Sequence, residues 1–147
     1  NDFHWMRVAL KLAKTAGQLG EVPVGAVLIQ ADRLVATGFN RREQSSSPLW
    51  HAEMIVIERA AQRLSSWRLA DTCLYVTLEP CLMCAGAIWQ ARIPRVVFAA
   101  KDPKGGAAGS LYNFATDQRL NHQTELVSAI LEDEATALLQ NFFQQRR

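Results

Sequence analysis

The sequence has 147 residues, of which 49% are hydrophobic and 20% charged, so it is too apolar for a disordered chain. None of its apolar runs approaches the roughly 20 residues that span a bilayer, and no signal-peptide pattern opens it. Three cysteines, an odd number, argue against a disulfide framework, and a net charge of +2 does not by itself indicate nucleic acid. We therefore expect a soluble, cytoplasmic protein with no membrane partner, folded as one domain over residues 1–147.

The first half of the sequence predicts a helix followed by a β-hairpin. Apolar residues recur at three- and four-residue steps over 3–17, which is the pattern of an amphipathic helix. Apolar runs over 22–29 and 34–39 flank a charged turn, so they predict two antiparallel strands. The continuous apolar character of the first run predicts a strand that is buried on both faces.

The second half of the sequence alternates helices and strands. The predicted elements are a buried helix (51–64), a strand (74–78), a helix (81–91), a strand (95–100), a Gly/Ala loop (102–109) and an amphipathic terminal helix (about 127–145). The resulting order, α-β-β-α-β-α-β-α, predicts a layered α/β domain with a mixed sheet.

Candidate metal ligands lie at two predicted helix starts. His51 opens one helix, and Cys81 and Cys84 follow Pro80 at the start of the next. Residues three apart lie on one side of a helix, and the positive end of the helix dipole favours thiolates there. One histidine and two cysteines suit tetrahedral Zn²⁺, and three protein ligands leave a fourth position for water. The sequence therefore predicts a catalytic zinc site.

Glu53 is the candidate proton shuttle of this site. It lies two residues after His51, roughly 200° around a regular helix. The two side chains therefore converge only if the metal lies beyond the N-terminal end of the helix. There Glu53 would take a proton from the metal-activated water and pass it to a leaving nitrogen.

Two other interpretations of these residues remain open. A Cys-x-x-Cys pair is also typical of redox sites and of structural zinc sites, and a structural site needs a fourth ligand. The candidates for that ligand are Cys73, His4 and His122. Cys73 lies in a predicted strand, where a small buried hydrophobic residue is the simpler interpretation. Because neither alternative requires Glu53, we favour the catalytic site.

The spacing His-x-Glu…Pro-Cys-x-x-Cys is the known signature of zinc-dependent nucleobase deaminases. Over essentially its whole length, the sequence resembles the bacterial tRNA-specific adenosine deaminases, which convert the wobble adenosine of a tRNA anticodon to inosine. The segments that carry the resemblance are 21–27, 38–41, 51–53, 77–87, 107–111, 120–122 and 141–143. The resemblance implies a three-layer α-β-α fold of the cytidine deaminase type, with about five strands in a central mixed sheet.

The resemblance also implies roles for individual residues. It makes His51, Cys81 and Cys84 the ligands of one Zn²⁺ per subunit. It makes Glu53 the proton shuttle and Asn40 a hydrogen-bonding partner of the flipped purine. The other substrate-binding positions that it implies are Val24, Ala52, Asp102 and Phe143. Without the resemblance, the simplest interpretations are a turn residue at 40, a core residue at 24 and a packed aromatic residue at 143.

The sequence departs from the family pattern just before the metal histidine. Leu49 and Trp50 stand where family members usually carry small residues. Trp50 would either stack on a neighbouring nucleotide or pack beside the helix start. A local basic rim for RNA would be formed by Arg41, Arg42, Arg146 and Arg147.

Together, the residues and the resemblance predict zinc-dependent hydrolytic deamination of adenosine to inosine at the wobble position of a tRNA anticodon. One alternative is a deaminase of a free nucleoside or base, or of single-stranded DNA. The other is a structural zinc protein in which Trp50 blocks the pocket. The expected partners are a tRNA anticodon stem-loop and, by the resemblance, a second subunit of a homodimer that shares the tRNA surface.

Overall fold

One five-stranded mixed sheet forms the centre of the computed structural model, which describes residues 1–146. The strands are β1 Gly25–Gln30, β2 Arg33–Phe39, β3 Thr72–Leu78, β4 Arg95–Ala100 and β5 Glu125–Val127. The helices are α1 Asp2–Gln18, α2 Ala52–Leu64, α3 Leu82–Ala91 and α4 Glu132–Gln144, with a 3₁₀ turn at Phe114–Thr116.

The strand order across the sheet is β2-β1-β3-β4-β5. β1 pairs antiparallel with both β2 and β3, and β4 pairs parallel with both β3 and β5. The chain passes from β3 to β4 through α3, which is the crossover that parallel neighbours require. The predicted hairpin and the predicted mixed sheet are thereby confirmed.

Helices cover both faces of the sheet. α2 and α3 pack on one face around side chains such as Leu28 and Leu74, whereas α1 and α4 pack on the other around Val27 and Tyr75. Successive strand residues point to opposite faces, so β1 contributes to both clusters and is buried on both, as predicted. The architecture is the three-layer α-β-α arrangement that the resemblance implied. Within residues 1–146, no helix combines the length and the apolar character needed to cross a membrane.

One end of the sheet collects the segments that carry the candidate site residues. Gly25, at the start of β1, pairs with Phe39 at the end of β2. β1 runs antiparallel to β3, so its start also lies beside the end of β3. There Leu78 pairs with Ala100, the last residue of β4. Residues that precede β1 or follow β2, β3 and β4 therefore meet at one place, which is where sheets of this type bind ligands.

The last part of the chain differs from the prediction. Glu125–Val127 form a fifth strand that pairs with β4, where the periodicity had predicted only four strands. The terminal helix, predicted to begin at about 127, begins at Glu132. Ala129 and Leu131 have positive φ angles, which a right-handed helix does not admit, so the helix cannot extend back through them.

The first strand is also shorter than predicted. It begins at Gly25, because the amide of Val24 donates to the carbonyl of Val22 and closes a tight turn ahead of the strand. The apolar run over 22–24 therefore belongs to the end of the sheet where the candidate residues meet. Apolar character alone does not distinguish these turn residues from the strand that follows.

Candidate active site

A cleft of about 150 Å³ opens at this end of the sheet. Its walls come from the turn before β1, the starts of α2 and α3, and the segments that follow β2, β3 and β4. The lining residues are Val22, Val24, Asn40, Arg42, His51, Ala52, Glu53, Leu78, Glu79, Cys81 and Asp102. The cleft therefore brings together most of the residues that the sequence singled out.

The metal-ligand candidates lie at the starts of two helices. His51 is the N-cap of α2 and Cys81 is the N-cap of α3, both in extended backbone, so each lies one residue outside the helix predicted to contain it. Cys84 follows in the first turn of α3 and is fully buried. Because His51 precedes the regular helix, the 200° separation from Glu53 does not apply. Both side chains line the same cleft.

The spacing of these three residues fits a zinc ion. His51 Nδ1 lies 3.6 Å from the Sγ atoms of both Cys81 and Cys84, and the three ligand atoms lie within 4.8 Å of one another. Zn–S bonds of about 2.3 Å and Zn–N bonds of about 2.0 Å at a tetrahedral angle separate N and S by about 3.5 Å, close to the observed spacing. No other His, Cys or acidic residue among 1–146 joins this group. A tetrahedral ion would therefore keep one position for water.

The two thiols differ in their affinity for protons in the metal-free site. A hydrogen bond with Cys84 lowers the pKa of Cys81 to about 4, and burial opposes this shift only in part. The same contact, together with burial, raises the pKa of Cys84. The contact with Cys81 also raises the pKa of His51. Cys81 is therefore a ready thiolate ligand, whereas Cys84 must release its proton when a metal binds.

Glu53 lies in the first turn of α2 and is only 4% exposed. It forms no salt bridge with any residue in the described part of the chain. Burial raises the pKa of Glu53 to about 7. A carboxyl group with such a pKa can both accept and release a proton near neutral pH, which is the requirement for general acid–base catalysis.

The Asn40 side chain is held rigidly at the wall of the cleft. Its Nδ2 donates to the carbonyl of Val22 at 3.3 Å, and its Oδ1 accepts from the amide of Arg42 at 3.3 Å. Asn40 is 7% exposed. A carboxamide has two N–H donors and two acceptor lone pairs, so one of each is left for a ligand. The arrangement suits recognition of a base edge that offers both a donor and an acceptor.

Glu79 lines the cleft, and the sequence predicted no role for it. Its buried carboxylate accepts from the amides of Asp102, Ala108 and Ser110, each at 3.0 Å, and from the Ser110 hydroxyl. Burial opposes ionisation, but these hydrogen bonds outweigh it and hold the pKa of Glu79 below its usual value. Gly106 passes so close that a Cβ there would overlap the carboxylate. The Gly/Ala loop is thus wrapped around one acid, and an acid directly after an apolar strand was the available signal.

Three further predicted residues lie in the cleft. Val24 and Ala52 are buried and contribute apolar wall. Asp102 also lines the cleft, but its Oδ1 accepts from the amides of Lys104 and Gly105 at 3.1 and 3.2 Å. One carboxylate oxygen of Asp102 therefore closes the turn after β4 instead of facing a ligand.

Two residues of the predicted RNA rim lie outside the cleft. Trp50 lines two neighbouring grooves on the α2 side, not the cleft itself, so the structure does not place it in the pocket mouth. The Arg41 guanidinium lies 5.1 Å from the centre of the Phe39 ring and lines one of those grooves. The Arg41 amide donates to the Trp50 carbonyl at 3.0 Å, which ties the two residues together.

The end of α4 also lies outside the cleft. Phe143 is half exposed and meets Phe142 edge to face, with ring centres 5.3 Å apart. The Arg146 guanidinium lies 3.9 Å from the centre of the Phe142 ring. It also approaches Gly20, in the turn between α1 and β1. Arg147, the remaining rim residue, lies outside the described residues.

The candidates for a fourth, structural zinc ligand are all elsewhere. Cys73 contacts Arg95 at the opposite end of β3. His122 Nε2 donates to the carbonyl of Ile93 at 3.2 Å, and His4 packs edge-on against Trp5. This separation argues against the structural zinc interpretation.

A second, larger groove of about 710 Å³ lies beside the cleft, between α2 and α3. Its lining is mostly apolar and consists of Ser47, Leu49, Trp50, Met54, Ile57, Glu58, Ala61, Trp67, Ala87, Gln90 and Ala91. Leu49 and Trp67 are 55% and 62% exposed. Exposed apolar surface of this kind is typical of protein–protein contacts.

Comparison with known proteins agrees with this geometry. The profile of the family described as MafB19-like deaminase matches residues 1–147. The chain is 48% identical over 146 residues to a tRNA-specific adenosine deaminase of Bacillus subtilis, with 99% of this chain and 91% of that protein covered. It is 47% identical over 147 residues to the protein of the same name from Haemophilus influenzae, with 99% and 85% covered.

Solved structures extend the comparison. A structure described in work on A-to-I editing by tRNA:A34 deaminases at the wobble position of transfer RNA matches with a TM-score of 0.89 and 43% identity. The match covers 92% of this chain and 99% of that one. A guanine deaminase from Nitrosomonas europaea matches with a TM-score of 0.83 at 23% identity, covering 95% and 83% of the two chains. The second match shows a shared fold.

Proposed function

The chain belongs to the deaminase family that includes the tRNA-specific adenosine deaminases, and from this premise we propose that it hydrolyses adenosine to inosine at the wobble position of a tRNA anticodon. The observation that carries the proposal is a buried, proton-accepting carboxyl beside a three-ligand metal set in one cleft. Glu53 supplies the carboxyl, and His51 and Cys81 line the cleft with it. Residues 1–147 act as one deaminase domain.

The metal of this reaction is Zn²⁺, held by His51, Cys81 and Cys84. When bound, the ion makes water a nucleophile near neutral pH, since it lowers the pKa of water from 15.7 to about 7. The support is the 3.6 Å spacing of His51 Nδ1 from both sulfurs, together with the nitrogen and sulfur donors that zinc prefers. The metal-free thiol pair already has its thiolate on Cys81.

Glu53 moves the proton of the reaction. Its carboxylate accepts a proton from the attacking water and transfers it to the exocyclic nitrogen of adenine. The bond from C6 to that nitrogen breaks and ammonia leaves, while the oxygen stays on C6 as a carbonyl and the second proton of the water moves to N1. Adenosine and water are thereby converted to inosine and ammonia. A pKa near 7 suits both halves of this transfer.

Asn40 orients the purine. The contacts with Val22 and Arg42 hold its carboxamide in place, so the free N–H and lone pair have a defined position when the base enters. Val24 and Ala52 supply apolar surface beside the base. An anticodon loop is a suitable source of the target, because its bases are unpaired and cost least to extrude.

An assay of base conversion tests this proposal. The zinc-loaded protein is incubated with an RNA hairpin that carries adenosine at the wobble position, and the digested RNA is examined for inosine by chromatography. We expect inosine from this hairpin and none from a control hairpin whose adenosine is paired in the stem. Free adenosine, cytidine and guanine, and a DNA hairpin of the same sequence, test the alternative substrates. Turnover of these without turnover of the RNA loop would overturn the proposal.

The active unit is a homodimer in which the apolar groove between α2 and α3 meets a second copy. A two-fold interface buries the same patch on both subunits, so Trp67 and Leu49, which are exposed in the single chain, would be buried in each subunit of the dimer. We expect Trp67→Asp to sediment as a monomer at micromolar concentration, where the unaltered chain sediments as a dimer. Leu34→Asp, at an exposed apolar residue on strand β2, is the control and leaves the dimer intact. An unaltered chain that sediments only as a monomer would contradict the dimer.

A tRNA substrate favours a cytoplasmic location for the protein. The three cysteines of the chain are consistent with a reducing compartment, since Cys73, Cys81 and Cys84 form no disulfide bond. Detection of the protein in the cytoplasmic fraction of its host tests this assignment.

A further inference from the structure

Arg42 is the cation at the mouth of the active cleft. It is exposed and lines the cleft together with Asn40, His51 and Glu53. Its guanidinium forms no salt bridge or hydrogen bond with any residue from 1 to 146. Among the described residues, no other lysine or arginine lines the cleft. A guanidinium group without protein partners is available to bind a ligand.

Buried groups hold the backbone that carries Arg42. Its own amide donates to Asn40 Oδ1, and the next two amides, of Glu43 and Gln44, donate to the Glu21 carboxylate at 3.0 and 2.7 Å. Glu21 is only 1% exposed. The loop after β2 is therefore held at three successive amides by the buried side chains of Asn40 and Glu21. The fold itself sets the position of Arg42 over the cleft.

The acidic groups of the cleft do not compete for Arg42. The Glu79 carboxylate accepts four hydrogen bonds from the Gly/Ala loop, and Asp102 Oδ1 accepts two amides of its own turn. Glu53 lies buried at the start of α2. The mouth of the cleft therefore offers an unpaired guanidinium, whose planar donors match the oxygens of a phosphate group.

We propose that Arg42 binds a phosphate that directly adjoins the target nucleotide. The proposal rests on the proposed function only for the identity of the target base. A free nucleoside has no phosphate and leaves this guanidinium without a partner. Arg42 is thus a substrate-binding residue that distinguishes substrates by charge, whereas Asn40 reads the base.

A double substitution, one in the protein and one in the RNA, tests the contact. Binding of the adenosine-wobble hairpin is measured by fluorescence anisotropy for the unaltered chain and for Arg42→Gln. Each is also measured with two hairpins in which a neutral methylphosphonate replaces the phosphate on the 5′ or the 3′ side of the target. We expect Arg42→Gln to weaken binding of the normal hairpin about tenfold. We also expect the slope of log affinity against log salt to fall by about one.

The unaltered chain should lose a similar factor with one of the two methylphosphonate hairpins, and Arg42→Gln should lose nothing further with it. Arg42→Lys keeps the charge, so most of the salt slope returns. Arg33→Gln is the matched control, because Arg33 is exposed at the other end of β2, about 20 Å along the strand, and its variant binds normally.

Two results would overturn the proposal. One is that Arg42→Gln binds the hairpin with unchanged affinity. The other is that Arg42→Gln loses as much affinity as the unaltered chain with each methylphosphonate hairpin, which would mean that the guanidinium contacts neither phosphate. Failure of the proposed function is a different observation, namely a hairpin that is bound but yields no inosine. Steady-state kinetics separate the roles further: Arg42→Gln raises KM for the hairpin and leaves kcat within about twofold, because the residue touches no reacting atom.

Discussion

The two ends of strands β3 and β4 place a carboxylate in opposite electrostatic environments. Where the strands begin, Arg95 donates to both oxygens of Asp2, each at 2.9 Å. Tyr75 donates to the same carboxylate at 2.7 Å. Where the strands end, Glu53 is buried in the cleft without any salt bridge in the described part of the chain. The fold pairs the first carboxylate with a guanidinium, whereas the second forms no salt bridge among residues 1–146.

The pKa values follow this difference. The hydrogen bond from Arg95 lowers the pKa of Asp2 to about 2, whereas burial raises the pKa of Glu53 to about 7. The first end of the strands gains stability from an ionised acid. The second end holds an acid whose ionised form the fold disfavours, and such an acid can take up and release a proton at neutral pH. The same two strands thus carry a stabilising cluster at one end and a reactive one at the other.

Metal removal is the largest expected disturbance of the reactive end. A chelator that strips zinc should abolish inosine formation, and added Zn²⁺ should restore it, because the nitrogen and sulfur donors of His51, Cys81 and Cys84 suit zinc. Added Mg²⁺ should not restore it, since Mg²⁺ prefers oxygen ligands. Zinc content is measured by atomic absorption alongside activity. Full activity in protein shown to be free of metal would contradict this site.

Loss of the Glu53 carboxyl should come next in size. Glu53→Gln is expected to lower kcat about 10²- to 10⁴-fold, the range for a general acid–base group, while zinc content stays unchanged. Asp133→Asn is the control, because Asp133 is an exposed acid in the first turn of α4, away from the cleft and the groove, and its kcat should stay within about twofold. A kcat for Glu53→Gln within tenfold of the original would remove Glu53 from the chemistry.

The same variant has a stability signature in the metal-free protein. The folded pKa of Glu53, about 7, lies above the usual 4.5, so the ionised group destabilises the fold once the pH rises through this window. Glu53→Gln carries no such charge. It should therefore melt higher than the original protein at pH 8, and the difference should disappear near pH 4, where Glu53 is protonated in both states. A lower melting temperature at pH 8 would contradict the comparison of the two ends.

Disruption of the stabilising end should have the smallest effect, and none on catalysis. Asp2→Asn is expected to cost about 1–2 kcal/mol of unfolding free energy at pH 7, measured with urea, because Asp2 and Arg95 are only partly buried. The folded pKa of Asp2 is lowered from 3.8 to about 2, so its contribution is present above pH 4 and is lost as the pH falls toward 2. Asp71→Asn, at an exposed acid, is the control. A change in kcat for Asp2→Asn would mean that the two ends are coupled.

Much of the fold was accessible from the sequence because its signals are local. The strand predicted over 95–100 has those bounds in the structure, and the helices predicted over 51–64 and 81–91 differ by one residue at their starts. β5 was not accessible from periodicity, since three residues are too few to show a period and the strand exists only through its pairing with β4. The start of α4 was misjudged for a different reason. The positive φ angles at Ala129 and Leu131 end the helix there, and the spacing of apolar residues does not reveal a backbone angle.

The sequence also identified the metal-ligand candidates and Glu53, since His-x-Glu and Cys-x-x-Cys are recognisable from residue type and spacing. It did not indicate that Glu79 organises the Gly/Ala loop, because the partners of that carboxylate lie 23 to 31 residues further along the chain. Nor did it indicate that Trp50 faces the grooves beside the cleft. The direction of a side chain in a loop depends on packing that no local pattern records.

The composition, the periodicity and the motif spacing determined the fold class, most helices and strands, and the residue types that can hold zinc and move a proton, because these follow from residue identity and local geometry. The tertiary structure decided which of these residues share a cleft. It placed His51 and Cys81 at N-cap positions and buried Glu53 without a salt bridge to any residue from 1 to 146. It also left Arg42 at the mouth of the cleft, where its guanidinium has no partner among those residues. These features arise where five separate chain segments meet, and the electrostatic environment at such a place depends on all of them together.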